Sequence, residues 1–345
     1  MQAFSTETQS FIEKICKGKT HIKLSIGTLV DGETSFHLFT ANGKELPYEN
    51  HGYEIGSMTK TFVGLLLAKY IHEGKMSLDD PISKYIDGLN STRYSPTLRR
   101  LVTHTSGLGG FPTRWEKSKT VLQYIFKGSA NDGKLPFDMN LEQMTALLRE
   151  SAVQDKDYPW KYSNLGIGAL GYAIGVVSGK GYWDTMNDFC KNELGLTQTV
   201  TGNSPNQILN GYDRKNRNIG NWVWGDDFYA PAGDLHATAA DILTYARINM
   251  NEEKPYLAMA HKKYADLSKE YDQGLGWLQD ASDHNIIYGM GGTGAFSSFL
   301  VVDKQKKVAC TFLSNYLIVE GLLDFGKSIL NDLQYARHNN PCHLF

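Results

Sequence analysis

With 345 residues, 41% of them hydrophobic and 21% charged, the chain has ordinary globular composition and a length suited to two domains. This argues against a disordered, fibrous or membrane-spanning protein. The net charge of -2 lacks the basic excess that a nucleic-acid binder gathers on one face, so no DNA or RNA partner is expected.

The N-terminal run has no basic stretch followed by an apolar core and small residues, so it does not read as a signal peptide. A cytoplasmic location follows for the chain as written, and an extracytoplasmic one if it is a trimmed mature form. Residues 21–30 and 34–40 are β-rich runs joined by Asp31-Gly32-Glu33, a hairpin signal. From 57 to 73 the pattern is apolar nearly all round and ends before Gly74, which predicts a buried helix. Helical spacing recurs over 141–148, 165–177 and 182–194. The longest apolar stretch, 165–177, is interrupted by four glycines and is too short to span a bilayer. Thr238-Ala239-Ala240-Asp241 is a helix start, with threonine as cap and an acid at the positive end, for a helix running to about residue 250. Short β-type runs return at 274–278, 285–288, 296–302 and 307–313, and a last helix covers 321–336.

Strands at both ends with helices between predict an α+β fold: an antiparallel sheet flanked by helices, with a helical domain inserted into it. Residues 1–75 and 235–345 would form the sheet domain and 76–234 the helical one, with a site in the cleft between them. Cys16, Cys190, Cys310 and Cys342 lie far apart without a C-x-x-C, which indicates free thiols and neither a zinc site nor a disulfide framework.

Three motifs carry chemistry. Ser57-Met58-Thr59-Lys60 is the only Ser-x-x-Lys in the chain and stands at the start of the buried helix, where three-residue spacing puts both side chains on one face. A lysine whose pKa is lowered by burial can take the serine proton and make the hydroxyl a nucleophile. Tyr162-Ser163-Asn164, just before the 165–177 helix, could bring a phenol and an amide to that serine; whether Lys60 or Tyr162 is the base stays open. The run from Gly289 to Gly294 lets a ligand lie along a strand edge and frees a backbone N–H to join that of Ser57 as an oxyanion hole. Two matches to G-x-G-x-x-G, at 166–171 and 289–294, lack the strand–turn–helix context of dinucleotide binding, and there is no H-E-x-x-H or G-x-S-x-G. No metal or cofactor is expected.

In order, Ser-x-x-Lys, Thr103-His104-Thr105-Ser106-Gly107-Leu108, Tyr-Ser-Asn, Pro231-Ala232-Gly233-Asp234 and Gly291-Gly292-Thr293-Gly294 resemble the penicillin-recognising serine enzymes. Within that family the pattern is most similar to the branch of class C β-lactamases, D-alanyl-D-alanine carboxypeptidases, D-aminopeptidases and related esterases. The resemblance implies that Ser57 is acylated, that Lys60 and Tyr162 move protons, and that Asn164 hydrogen-bonds substrate or Lys60. It also implies that Gly291, Gly292 and Thr293 line the substrate, that the Ser57 and Gly292 N–H groups form the oxyanion hole, and that His104 is structural. Gly289-Met290-Gly291 departs from the family, which usually has Lys or His, then Thr, Ser or Asn, then Gly there. Loss of that cation weakens the case for an efficient β-lactamase or carboxypeptidase and fits an esterase or amidase whose substrate lacks the carboxylate, or a site where an Arg or His from a loop supplies the charge. A small ester, a β-lactam and a D-amino-acid peptide, all small-molecule or short-peptide substrates, stay open. The rival reading is a non-catalytic receptor or sensor that keeps the cleft.

Overall fold

The computed structural model describes residues 4–89, 94–109, 140–202, 208–222, 224, 228–318 and 320–339. Cys342 lies outside them; Cys16, Cys190 and Cys310 are buried free thiols. Helix α1 (Thr6–Cys16) precedes β1 (Leu24–Val30), β2 (Glu33–Thr40) and β3 (Lys44–Leu46), then β4 (Gly52–Glu54) and α2 (Thr59–His72). Helices α3 (Leu98–Val102), α4 (Leu141–Glu150), α5 (Asn164–Ser178) and α6 (Gly181–Asp188) come next, and β5 (His236–Thr238) follows. Then come α7 (Ala239–Asn251), α8 (Leu257–Ala260), β6 (Ala265–Asp266), β7 (Tyr271–Gln273) and β8 (Leu278–Asp280). The chain closes with β9 (Ile286–Gly292), β10 (Ser297–Asp303), β11 (Val308–Ser314) and α9 (Leu322–Asn339).

Nine strands form one antiparallel sheet in the order β3-β2-β1-β11-β10-β9-β8-β7-β6, and β4 pairs with β5 in a separate two-stranded sheet. The chain thus has the expected mixed architecture of a large antiparallel sheet with helices. The central strands are buried on both faces, and alternation sorts their side chains. Leu24, Ile26, Phe299, Val301, Cys310 and Phe312 pack with α1 and α9, whereas Leu29, Leu300, Val302, Ala309 and Leu313 pack on the other face with α7 and α2. The β1–β2 turn has Asp31 at φ 50° and Gly32 at φ 95°, both positive as the two-residue hairpin of matching twist requires.

Several boundaries differ from the sequence expectation: β1 starts at Leu24 and not at residue 21, and the strand expected over 285–288 extends to Gly292. The helix expected from residue 57 begins at Thr59, after a 3-10 turn over Gly56–Met58 that carries Ser57. The 182–194 helix becomes a π-turn over Phe189–Glu193. Of the run 274–278, expected as a strand, only Leu278 is in one, as the start of β8, and residues 274–277 are instead the connection between β7 and β8: Gly274 N–H donates to the Trp277 carbonyl at 2.8 Å, and Gly276 sits at φ 75°. The cause is close packing against α2. A side chain on Gly276 would stand 2.1 Å from the Lys60 carbonyl, and one on Gly64 would stand 1.9 Å from the Leu275 carbonyl. Phe62 of α2 stacks on Tyr245 at 4.0 Å, and Tyr245 stacks in turn on Trp277 of the connection at 5.6 Å.

This contact is testable by substitution. Gly64→Ala drives a methyl into backbone and should lower unfolding free energy by about 3 kcal/mol. Gly74→Ala meets no atom within 4 Å at φ 71° and should lower it by only about 1 kcal/mol. Equal shifts in the denaturant midpoints of the two variants would contradict the packing described.

Candidate active site

Ser57 is fixed by backbone contacts before any side chain acts. Ile55 N–H donates to Leu235 O at 2.9 Å, and the Ile55 carbonyl accepts from Ser298 Oγ at 2.6 Å. Gly56, at φ 51°, abuts the end of β9, and a Cβ there would stand 2.7 Å from the Gly292 carbonyl oxygen. A Cβ on Gly291 would lie 2.1 Å from Ile55 O and 2.6 Å from Ser57 N. The glycines are therefore what allows β9 and the Ser57 turn to touch backbone to backbone. Of the glycine run, Gly289, Gly291 and Gly292 lie within β9, whereas Thr293 and Gly294 belong to the turn into β10, closed by Thr293 N–H donating to the Phe296 carbonyl at 3.1 Å.

The three groups singled out in the sequence meet. The Ser57 and Tyr162 hydroxyls are 2.5 Å apart, and Lys60 Nζ donates to Ser57 Oγ at 3.0 Å. Lys60 Nζ also donates to the Ala232 carbonyl at 2.6 Å and stands 4.7 Å from the Tyr162 ring centre. Lys60 is 3% exposed, and burial holds its amine well below the ordinary 10.5. Tyr162 shows 38% of its surface, but its hydroxyl turns inward onto Ser57; burial pushes that phenol up to about 12, partly offset by the Ser57 hydrogen bond.

His104 braces the tyrosine loop. Its carbonyl accepts from Lys161 N at 2.8 Å and its Nδ1 accepts from Ser163 N at 3.2 Å. The ring packs 4.9 Å from that of Tyr162 and edge-on to Trp160 at 5.6 Å. Burial pushes His104 down to about 3, so its imidazole is neutral and free to accept. Ser163 caps α5 by accepting from Gly166 N at 2.9 Å. Asn164 is the first residue of that helix, and its Oδ1 is buried without a partner. The hydrogen bond from Asn164 to Lys60 that the resemblance allowed is not formed. The glycines at 166–171 serve packing: Cβ atoms on Gly168 and Gly171 would stand 2.5 Å from Phe228 O and 2.3 Å from Pro231.

Ala232 and Glu54 were not assigned roles from sequence. Ala232 acts through a carbonyl, which no residue type announces, and Asp234 beside it is a buried pin that accepts from the Tyr182 hydroxyl at 2.8 Å. Glu54, the acid in the otherwise neutral strand β4, is 1% exposed and lies between the Trp222 amide, which donates to it at 2.6 Å, and the Thr293 hydroxyl. Burial pushes it up to about 7 despite the Trp222 hydrogen bond, its second oxygen and the Thr293 hydroxyl both being buried without a hydrogen-bond partner among the described residues. Thr293, 4% exposed, lines a cavity of about 320 Å³ with Asn164, Trp222, Trp224 and Tyr229. A larger cavity of about 770 Å³ opens from Ser57 on its other side. Among the described residues there is no cluster of three or more potential metal ligands, and no helix is long and apolar enough to cross a membrane.

Glu54 has a pH signature. Its folded pKa of about 7 exceeds the ordinary 4.5, so between those values the folded state holds a proton that the unfolded chain has lost. Stability should fall as pH rises through that window, by on the order of 3 kcal/mol in total. Asp234, which burial pushes up to about 8, adds a decline of its own, so thermal melts of Glu54→Gln should show a shallower fall than wild type between pH 4.5 and 7, and identical slopes would show that Glu54 holds no proton in that window.

A family model described as Beta-lactamase matches residues 18–322. The Beta-lactamase of Pseudomonas fluorescens is 25% identical over 281 residues, covering 78% of this chain and 72% of that one. Protein flp of Staphylococcus aureus is 21% identical over 284 residues, covering 76% of this chain and 52% of its own. The chain therefore spans about half the length of flp. Among solved structures, a class C beta lactamase superposes with TM-score 0.77 at 22% identity, over 94% of this chain and 97% of that one. The Beta-Lactamase/D-Alanine Carboxypeptidase from Pseudomonas syringae gives 0.74 at 19%, over 96% and 98%. The structures show a shared fold, and the family match, which covers most of the sequence, carries the assignment: the chain belongs to the beta-lactamase family.

Proposed function

We propose that the protein is a serine hydrolase that forms an acyl-enzyme on Ser57. The observation that carries this reading is the convergence on one hydroxyl of the Tyr162 phenol at 2.5 Å and the Lys60 amine at 3.0 Å. Membership in the beta-lactamase family supports a hydrolase of this general type.

In this reading the buried amine of Lys60 is neutral and is the ultimate proton acceptor, and the phenol of Tyr162, kept protonated by burial, relays protons. Ser57 Oγ attacks the substrate carbonyl carbon, forming the C–Oγ bond, and its proton passes to the Tyr162–Lys60 pair. The oxyanion is held by the Ser57 and Gly292 N–H groups. The bond to the leaving group breaks as that group takes the proton. Water then attacks the acyl carbon, the C–Oγ bond breaks, and Ser57 regains a proton as the acid departs.

The chain order suggests the division of labour. Ser57, Lys60 and Gly291 to Thr293 come from the segments 1–75 and 235–345 and Tyr162 and Asn164 from 76–234, so the domain boundaries are proposed at those points. A small ester is the favoured substrate over a β-lactam or D-amino-acid peptide. Gly289-Met290-Gly291 offers a substrate carboxylate no cation, a loss of about 1.5–3 kcal/mol for a charged hydrogen bond.

Intact mass after a fluorophosphonate should show one adduct on wild type and none on Ser57→Ala. With 4-nitrophenyl acetate, Tyr162→Phe should lower kcat by about 10²–10⁴-fold. A wild type that takes no label, with no turnover, would favour the non-catalytic receptor instead.

A further inference from the structure

The larger cavity has an unusual wall. Leu267, Leu278, Met290, Ile318, Leu322 and Leu323 line it, and each is only half-buried. Its floor holds Tyr271 and Tyr288, edge to face at 5.7 Å. Half-exposed aliphatic side chains converging on a concave surface, rather than scattered over a convex one, are what an apolar ligand would cover.

Sheet topology explains the shape. β8 pairs with β9 only at Leu278↔Tyr288 and Gln279↔Ile287, so Gly289 to Gly292 have no partner strand on that side. The cavity follows this free edge from Ser57 to the first turn of α9. Trp160 Nε1 donates to Gln273 Oε1 at 3.0 Å across one end, and Gln273 is held in turn by the Gly274 and Trp277 carbonyls at 3.0 and 2.9 Å. Of the acidic and basic side chains among the described lining residues, Lys60 is committed to Ser57 and Ala232, His104 is buried behind Tyr162, and Asp324 is an exposed acid. Lys327, the neighbouring cation, stands over the Tyr271 ring at 5.3 Å and does not line the cavity.

Resting on the hydrolase reading above, we propose that the substrates are uncharged esters with an extended apolar group, which lies along the free edge of β9 against Met290 and the start of α9. The scissile carbonyl sits at Ser57, where the cavity begins. A chain ending in a carboxylate would place that charge among aliphatic groups facing Asp324 and would bind poorly.

Two ester series test this: 4-nitrophenyl esters from acetate to octanoate, which lengthen the acyl group, and acetates of 1-alkanols from ethanol to octanol, which lengthen the alcohol. In at least one series kcat/KM should rise about fourfold per methylene until the cavity is filled. A monoester ending in a carboxylate should fall at least tenfold below its uncharged counterpart of equal length. Met290→Asp and Leu322→Asp, each checked by melting temperature and by fluorophosphonate labelling of Ser57, should flatten the dependence on length. Two flat series on an enzyme that labels at Ser57, or equal turnover of the carboxylate-ended ester, would overturn the substrate class and leave the hydrolase reading standing. Absence of labelling would overturn both.

Discussion

A lysine amine buried without a carboxylate partner is the constraint on which this site rests. Lys60 donates to one hydroxyl and one backbone carbonyl, and neither compensates a full positive charge withdrawn from water. The neutral form is therefore favoured, and burial alone accounts for the direction of its shift. A charged Lys60 would hold Ser57 in an ion–dipole contact, whereas a neutral one can accept its proton.

That amine stays dry because backbone replaces side chains around it. Gly276 lets the β7–β8 connection press on the Lys60 carbonyl, and Gly64 lets the same connection press on α2. Gly56 and Gly291 bring the Ser57 turn against β9, and Gly168 and Gly171 seat α5 on the segment that presents Ala232. The sheet and α2 thus form a rigid floor, and the loop braced by His104 brings Tyr162 in from above.

Much of this was legible in the residues. The Ser-x-x-Lys spacing placed Ser57 and Lys60 together, and the apolar run behind them correctly announced a buried helix. Tyr162 was legible only through motif order, because no local pattern brings a residue 105 positions away to Ser57. What could not be read were features made by backbone or by distant packing. The Ala232 carbonyl has no residue signature, residues 274–277 have strand composition but turn against α2, and the buried state of Glu54 depends on the Trp222 segment and Thr293 lying beside it. The apolar cavity is similarly non-local, gathered from the β6–β7 region, β8, β9 and the approach to α9.

The central claim is the neutrality of one amine, and direct titration tests it most closely. With lysines carrying ¹³C at the ε position, the Lys60 resonance can be assigned by its loss in Lys60→Met and followed with pH. The account expects this signal to titrate well below the ordinary lysine value of 10.5 while surface lysines titrate near it. A Lys60 signal that titrates at or above 10.5 would contradict the account, because a permanently charged amine could not receive the Ser57 proton.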